Sequence, residues 1–326
     1  MKKIASYALG CKVNQYESEA IAELFAEKGY EVVSVDDEAD VYIINTCTVT
    51  NFGDKKSRQL IRKVKRQNEN AIVAVVGCYA QTAPEELAAV HGVNLVIGTK
   101  DKSKIVELVE DYQAEQGVQN YVTDIMHERV FEPLEIKKLA NRTRAYLKIQ
   151  DGCSQFCSYC IIPYARGPIR SRQPEDVIAE VKRLAENGFK EVVLTGIHVA
   201  SYGKDLKTIT LTDIIRQVHE VEGIERIRFS SIEPNVVTEE FAAAMAELPK
   251  VCDHFHLSLQ SGCDKTLKEM NRKYDTEKYR QAAALLRKYL PDVAITTDII
   301  VGFPGETEED YQASRAFAEE IGYSKI

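Results

Sequence analysis

The sequence predicts an α/β protein in two parts: an N-terminal doubly wound parallel domain, then a partial (β/α)6 barrel. Three observations carry that expectation. Short runs rich in β-branched residues alternate with amphipathic helical runs from end to end. The early strand runs are apolar almost throughout, as strands buried on both faces are. Only six strand–helix units follow residue 139, fewer than the eight of a closed barrel.

In the first part, "KIASYAL" reads as the opening strand. "SEAIAELFAEKG" then puts Ala20, Ile21, Leu24 and Phe25 on one helical face and stops at Gly29. "EVVSV", "DVYIIN", "AIVAVVG" and "NLVIG" are further strands, and "KSKIVELVEDY" closes the domain as a helix, setting it at residues 1–112. Residues 113–138 show no clean period and read as a linker. In the second part, residues 139–326, the strands are "RAYLKIQ", "EVVLTG", "RIRFSS", "HFHLSLQ", "VAITTDIIVG" and "YSKI". The helix "PEDVIAEVKRLAENG" has Pro174 at its start and Gly188 past its end, the usual asymmetry of helix termini. Parallel strands joined by helices make right-handed crossovers, and six such units curl into an open barrel. The chain stops directly after the last strand run, which reads as a longer protein cut short.

Composition narrows the class. With 326 residues, 44% hydrophobic and 28% charged, the chain is that of an ordinary globular protein. The longest apolar run, Ala71–Ala80, is far short of the roughly 20 residues a membrane helix needs. The N-terminus turns polar at once and does not read as a signal peptide. A cytoplasmic location without a membrane partner is expected. There thiols stay reduced, so the eight cysteines call for metal binding or catalysis rather than disulfides. A net charge of −8 confines any nucleic-acid surface to local basic patches.

Cys153, Cys157 and Cys160 are spaced C-x3-C-x2-C in "DGCSQFCSYC". A ferredoxin run has four thiolates at other spacings, and a zinc ribbon needs a second C-x2-C pair, which the chain lacks. Three ligands leave one coordination position open to a small molecule. Cys11, Cys47 and Cys78 each follow a strand of the first domain. Ligand sites of open α/β sheets lie beyond the carboxyl ends of strands, so these three can converge as a second ligand set. The alternative is that each is a small apolar core residue. Cys252 and Cys263 fit neither set, and Cys252 reads as core filler.

C-x3-C-x2-C with Tyr159 before its last cysteine, after the first strand of a partial barrel, resembles the radical S-adenosylmethionine (SAM) superfamily. The resemblance extends over nearly the whole chain. "GCKVNQYESE", "NTCTV", "VVGCYAQ", "CSQFCSYCIIPYARGPIRSR", "LTGIHVASYG", "SSIEP", "LSLQSG", "MNRKY" and "DIIVGFPGET" are together similar to the radical SAM methylthiotransferases. That resemblance implies two [4Fe–4S] clusters, one on each cysteine triplet, each with an open iron. It implies SAM used twice, as methyl donor and as source of a 5′-deoxyadenosyl radical that opens an unactivated C–H bond to a methylthio group. It implies an electron donor such as flavodoxin or ferredoxin. It also implies a small RNA-binding TRAM domain, which this stretch does not contain.

At the carboxyl ends of the barrel strands, where barrel chemistry gathers, stand Thr195, Gly196, His198, Ser230, Ser231, Glu233, Ser258, Gln260, Ser261 and Asp298. By resemblance, Tyr159, Gly196, His198, Ser231, Glu233, Ser258, Gln260 and Asp298 bind SAM. Each alone also reads as a turn or strand-end cap.

Three branches differ in substrate: isopentenyladenosine in tRNA, N(6)-threonylcarbamoyladenosine in tRNA, or a ribosomal-protein aspartate. The motifs are most similar to the threonylcarbamoyl branch, and Lys12-Val13-Asn14 stands where the ribosomal branch tends to carry Pro-Lys-Asn. Basic clusters fit an RNA partner, the anticodon stem-loop: Lys55–Arg66, then Lys137, Lys138, Arg142 and Arg144, then Arg166, Arg170 and Arg172. Helix 55–66 also reads as a solvated face over a stripe of Leu60, Ile61 and Val64. An iron–sulfur carrier without turnover is the alternative of another class.

Overall fold

A computed structural model describes residues 1–48, 51–136 and 144–326, without the side chains of 51 and 52. It divides into two compact units. The first comprises 1–142, 151–154 and 161–172; the second comprises 143–150, 155–160 and 173–326.

The first unit holds β1 (Lys3–Ala8), β2 (Glu31–Val32), β3 (Val41–Thr46), β4 (Ile72–Gly77), β5 (Leu95–Ile97) and β6 (Gln119–Asn120), in the order β2-β1-β3-β4-β5-β6. Every pairing is parallel. Alternate strand residues face opposite ways. Ala5, Tyr42, Ile44, Val73 and Val75 pack with Ile61 and Val64 of α2 (Asn51–Gln67). Ile4, Val41, Ile43, Ala74 and Val76 pack with Ile21 and Phe25 of α1 (Lys12–Glu27) and with Ile105 and Val109. Helices thus cover both faces, as the near-continuous apolar strands require. At about 1.5–3 kcal/mol for each fully buried aliphatic side chain, these two clusters hold the sheet.

Two expectations change. "EVVSV" yields only a two-residue strand, at the sheet edge. The expected linker is no free connector over 113–136: β6 pairs with β5, and Ile125, Leu134 and Ile136 are buried. Residues 137 and 138 lie outside the described residues. The first unit therefore extends past residue 112, and it recruits 151–154 and 161–172 from beyond the expected boundary. Sequence periodicity cannot see a two-residue strand or a loop that returns to an earlier sheet.

The second unit holds β7 (Arg144–Asp151, whose last residue clusters with the first unit), β8 (Glu191–Gly196), β9 (Arg226–Phe229), β10 (His254–His256) and β11 (Ala294–Thr296). β8 pairs in parallel with β7 and β9, and β10 with β11. Parallel bridges Ile227–Val251 and Ile232–Leu257 continue the order from β9 to β10, and Thr296–Lys325 supplies the sixth position. The open barrel of six units is present, with "YSKI" reduced to a bridge. Helices Pro174–Glu186, Leu211–His219, Glu239–Ala246, Thr276–Tyr289 and Glu308–Ile321 are its main crossover helices. Among the described residues no helix is long and apolar enough to cross a membrane.

Candidate functional site

In the first unit, β1, β3 and β4 end in turns that carry the three cysteines. Cys11 is the exposed N-cap of α1, Cys47 follows β3 and is 7% exposed, and Cys78, at 2%, opens the short helix α3 (Cys78–Thr82) directly after β4. The sheet ladder runs to these strand ends, and side chains add to it there. Asn14, fully buried, donates from Nδ2 to Leu9 O at 2.7 Å and to Thr46 O at 2.9 Å. Asn45 Nδ2 donates back to Asn14 O, and Thr46 Oγ1 donates to Val76 O. Gly10 has φ +96°, and a Cβ there would stand 2.5 Å from Cys47 Sγ, so only glycine fits between Cys11 and Cys47.

Arg166 enters this same cluster. Its Nε donates to Cys78 Sγ at 3.1 Å and Nη2 to Asn14 Oδ1 at 2.6 Å, while Nη1 and Nη2 clamp both oxygens of Glu17. Lys102 lies 3.1 Å from Glu17, and Arg166 and Arg170 lie 3.5 and 3.6 Å from Asp151. All five of these charged residues are 3% exposed or less. Burial raises the pKa of the Cys78 thiol, and the Arg166 charge opposes that rise. Burial works against the Arg166 charge too, but Cys78, Glu17 and Asp151 overcome it and hold its pKa above the ordinary value.

This corrects the expectation that Arg166, Arg170 and Arg172 contact RNA. They are 0%, 3% and 2% exposed, and Arg172 faces Tyr16 and Glu135. A phosphate cannot reach a guanidinium already buried on carboxylates. The basic cluster on α2 is different: Lys55, Lys56, Arg62, Lys63 and Arg66 are exposed. Lys63 pairs with Asp36, and Lys65 turns inward to the Glu69 and Ala71 carbonyls. A groove of about 1170 Å³ is lined by Lys56, Arg62, Arg66 and His91 along with Tyr7 and Leu9, which precede Cys11. Of the middle cluster, Arg144 is exposed, while Lys137, Lys138 and Arg142 lie outside the described residues.

The C-x3-C-x2-C loop follows β7. Within the first unit, Cys153 N donates to Gly167 O. Within the second unit, Cys160 N donates to Cys157 O, and Ser158 N donates to Met270 O. Arg272, from the "MNRKY" stretch, donates from Nη1 to Cys157 Sγ at 3.2 Å, from Nη2 to Glu233 Oε1 at 2.8 Å and from Nε to the Tyr274 hydroxyl at 2.9 Å. The sequence reading missed Arg272 as a site residue; the adjacent cations Arg272 and Lys273 within the motif were its only signal. Burial opposes its charge, and Tyr274, Glu233 and Cys157 raise its pKa regardless.

The expected SAM residues divide. Glu233 is 7% exposed; burial pushes its carboxyl up, but His198 and Arg272 prevail and hold it below the ordinary value. His198 Nε2 stands 3.2 Å from Glu233, Nδ1 is 2.6 Å from the Ser201 hydroxyl, and the backbone N–H donates to Gln150. A Cβ on Gly196 would meet Gln150 at 2.8 Å, which keeps that strand end bare. Thr195 bonds the Ser230 hydroxyl, and Ser258 O accepts from Tyr274. Gln260 holds φ +72° beside a bridge to Ile299. Ser261 is buried, with its hydroxyl accepting from Cys263 N. Tyr159 packs edge-on to Phe303, and burial pushes its hydroxyl up to about 12. Ser231 and Asp298 are exposed, Asp298 beside His256. Thus His198 and Glu233 share one polar network with Arg272 and Cys157, Gly196 lies against Gln150 beside it, and Ser231 and Asp298 join no part of it among the contacts described. Cys252 is only partly buried, so it is not the core filler expected, and Cys263 faces Asp310.

Among the described residues, no three His, Cys, Asp or Glu side chains close into a metal cage. The donor chemistry nevertheless fits iron: three soft thiols share one sheet edge in the first unit, one of them beside a buried guanidinium.

The comparisons agree with this chemistry. Residues 147–318 match the Radical SAM superfamily, and residues 3–98 match a family described as Uncharacterized protein family UPF0004. The chain is 47% identical over 327 residues to the threonylcarbamoyladenosine tRNA methylthiotransferase MtaB of Bacillus subtilis (strain 168), covering 100% of this chain and 72% of that protein. It is 40% identical to the tRNA-2-methylthio-N(6)-dimethylallyladenosine synthase of Thermoanaerobacter sp. (strain X514), over 96% of this chain and 68% of that one. The radical SAM methyltransferase TsrM from Kitasatospora setae shares the fold alone, at a TM-score of 0.69 and 16% identity, covering 99% of this chain and 72% of that structure. The chain belongs to the radical SAM methylthiotransferase family, and it is a transferase.

Proposed function

We propose that this protein inserts a methylthio group at carbon 2 of N(6)-threonylcarbamoyladenosine-37 in tRNA. The observation that carries the reading is the second thiol set. A radical SAM enzyme needs only Cys153, Cys157 and Cys160 for its cluster, yet Cys11, Cys47 and Cys78 are held at one sheet edge by Asn14, Asn45 and Gly10. Likeness over the whole of this chain to a threonylcarbamoyladenosine enzyme supports the branch. The dimethylallyladenosine branch is the second reading, favoured by the 40% identity to one of its members.

The family's cofactors are SAM and a [4Fe–4S] cluster, which Cys153, Cys157 and Cys160 would hold. Cys11, Cys47 and Cys78 would hold a second cluster, whose role is to carry the sulfur. When bound, these groups supply the radical that an unactivated C–H bond demands, chemistry no side chain provides.

The chain's own groups bind and orient. Glu233, kept ionised by His198 and Arg272, would accept from the SAM amino or ribose groups. Gly196 lets Gln150 pack close at its strand end, His198 and Gln260 would edge the same site, and Tyr159 packs edge-on to Phe303 beside the cluster loop. Ser231, Ser258 and Asp298 complete the expected SAM set. The exposed face of α2 would take the RNA backbone, and a reduced flavodoxin or ferredoxin would deliver electrons in the cytoplasm.

The test is mass spectrometry of nucleosides from total tRNA, with and without the full-length gene. Loss of the methylthio-threonylcarbamoyl nucleoside is expected. Loss of the methylthio-isopentenyl nucleoside instead would move the substrate to the other branch, and unchanged tRNA would refute an RNA substrate.

A further inference from the structure

Each cysteine triplet has one buried guanidinium aimed at one of its thiols. Arg166 Nε lies 3.1 Å from Cys78 Sγ in the first unit, and Arg272 Nη1 lies 3.2 Å from Cys157 Sγ in the second. Arg166 comes from the stretch that follows the C-x3-C-x2-C motif but serves the other triplet. Both guanidiniums are fixed on their remaining edges. Arg166 is clamped by both oxygens of Glu17 and by Asn14. Arg272 is held by Glu233 and the Tyr274 hydroxyl, with its Cζ 4.8 Å from the Tyr274 ring centroid. Neither can swing away, so the N–H that meets sulfur is preorganised.

The ion pairs around Arg166 join it to Glu17 and Asp151, with Lys102 and Arg170 on the same carboxylates, all of them buried. These contacts hold one edge of the guanidinium, and its Nε faces the Cys78 thiol. A purely structural ion network needs no bond to sulfur.

We propose that Arg166 and Arg272 are positioning residues, each donating to one cluster-bound thiolate, at Cys78 and Cys157, and raising the reduction potential of the cluster held there. The proposal rests on the reading that both triplets hold clusters. Its physics is direct: reduction adds negative charge to a cluster and its thiolates, and hydrogen bonds to those sulfurs favour the more negative state. In a low-dielectric interior the effect is amplified. The two sites are independent devices, because each arginine meets a cysteine of its own unit.

The experiment is a redox titration followed by electron paramagnetic resonance on the anaerobically reconstituted full-length protein. Arg166→Lys and Arg166→Gln are read in a background where Cys153, Cys157 and Cys160 are alanine. Arg272→Lys and Arg272→Gln are read where Cys11, Cys47 and Cys78 are alanine. Iron counts and melting curves accompany each variant. Arg166 variants are expected to lower the potential of the Cys11/Cys47/Cys78 cluster, more with glutamine than with lysine, which keeps a charge. Arg272 variants are expected to lower the other potential in the same order. Unchanged potentials at full iron occupancy would overturn the proposal. So would equal shifts from lysine and glutamine that track the loss of melting temperature, since that is general loosening. If Arg166 variants fail to fold, the Arg272 pair decides alone. A wild-type protein that binds iron for one cluster only would instead refute the two-cluster reading, visible before any arginine is changed.

Discussion

Gly10→Ala is a sharp test of how the first thiol set is held. Gly10 and Gly29 both have positive φ, +96° and +85°, but a Cβ at Gly10 would stand 2.5 Å from Cys47 Sγ, whereas one at Gly29 meets nothing within 4 Å. The backbone strain of alanine at such φ costs about 1–3 kcal/mol at either site. At Gly10 the overlap adds about 1–3 kcal/mol, the usual cost of overpacking. Gly29→Ala should therefore lose about 1–3 kcal/mol and Gly10→Ala about 2–6 kcal/mol in urea unfolding of the apoprotein. The functional difference should be larger. The Gly10 overlap falls on the Cys47 thiol, a ligand in the proposed two-cluster reading, and is relieved only by moving Cys47. After anaerobic reconstitution, Gly29→Ala should hold the iron of the unchanged protein, and Gly10→Ala should hold roughly half, the share of the remaining cluster. Equal iron in the two variants would refute the claim that Gly10 shapes the site.

Asn14→Leu removes four side-chain hydrogen bonds, one from Cys11 and one from Arg166, and should cost about 3–5 kcal/mol in the same unfolding assay. Arg62→Ala with Arg66→Ala should weaken tRNA binding and reduce the slope of log K against log salt by about 2, while SAM cleavage without tRNA is unaffected. Replacing Arg170 is expected to fail through folding rather than RNA affinity, read as loss of soluble protein. Glu233 has a folded pKa held below its ordinary 4.5, so its contribution to stability is present above pH 4.5 and is lost as pH falls toward the folded value. Glu233→Gln should remove that part of the acid limb in a pH series of melting temperatures.

That Cys11, Cys47 and Cys78 each follow a strand of the first sheet was legible because the apolar strand runs end at definite residues. The doubly wound sheet was legible because strands buried on both faces leave long apolar runs. The arginines were misread for a physical reason. Sequence charge is normally a surface property, and nothing local to "YARGPIRSR" announces that Glu17, Lys102 and Asp151 close around Arg166. The polar scaffold of Asn14 and Asn45 was invisible for the same reason: its partners lie 31 and 32 residues away. The extended first unit escaped because two-residue strands and returning loops carry no periodicity.

The bond between Cys78 and Arg166 spans 88 residues of chain. At about 5–20 residues per second, a ribosome needs roughly 4–18 s to make that interval. From the synthesis of Lys102 until that of Arg166, the nascent first domain carries Glu17 and Lys102 beside a gap where a guanidinium belongs. A polypeptide ending at residue 112 would carry that defect permanently, however complete its sheet looked. Under the proposed two-cluster reading, the first thiol set reaches its finished surroundings only after the second set has left the ribosome's peptidyl transferase centre. Expression of the first 112 residues alone should yield a chain that needs holding by chaperones, and one reaching residue 172 should relieve that need.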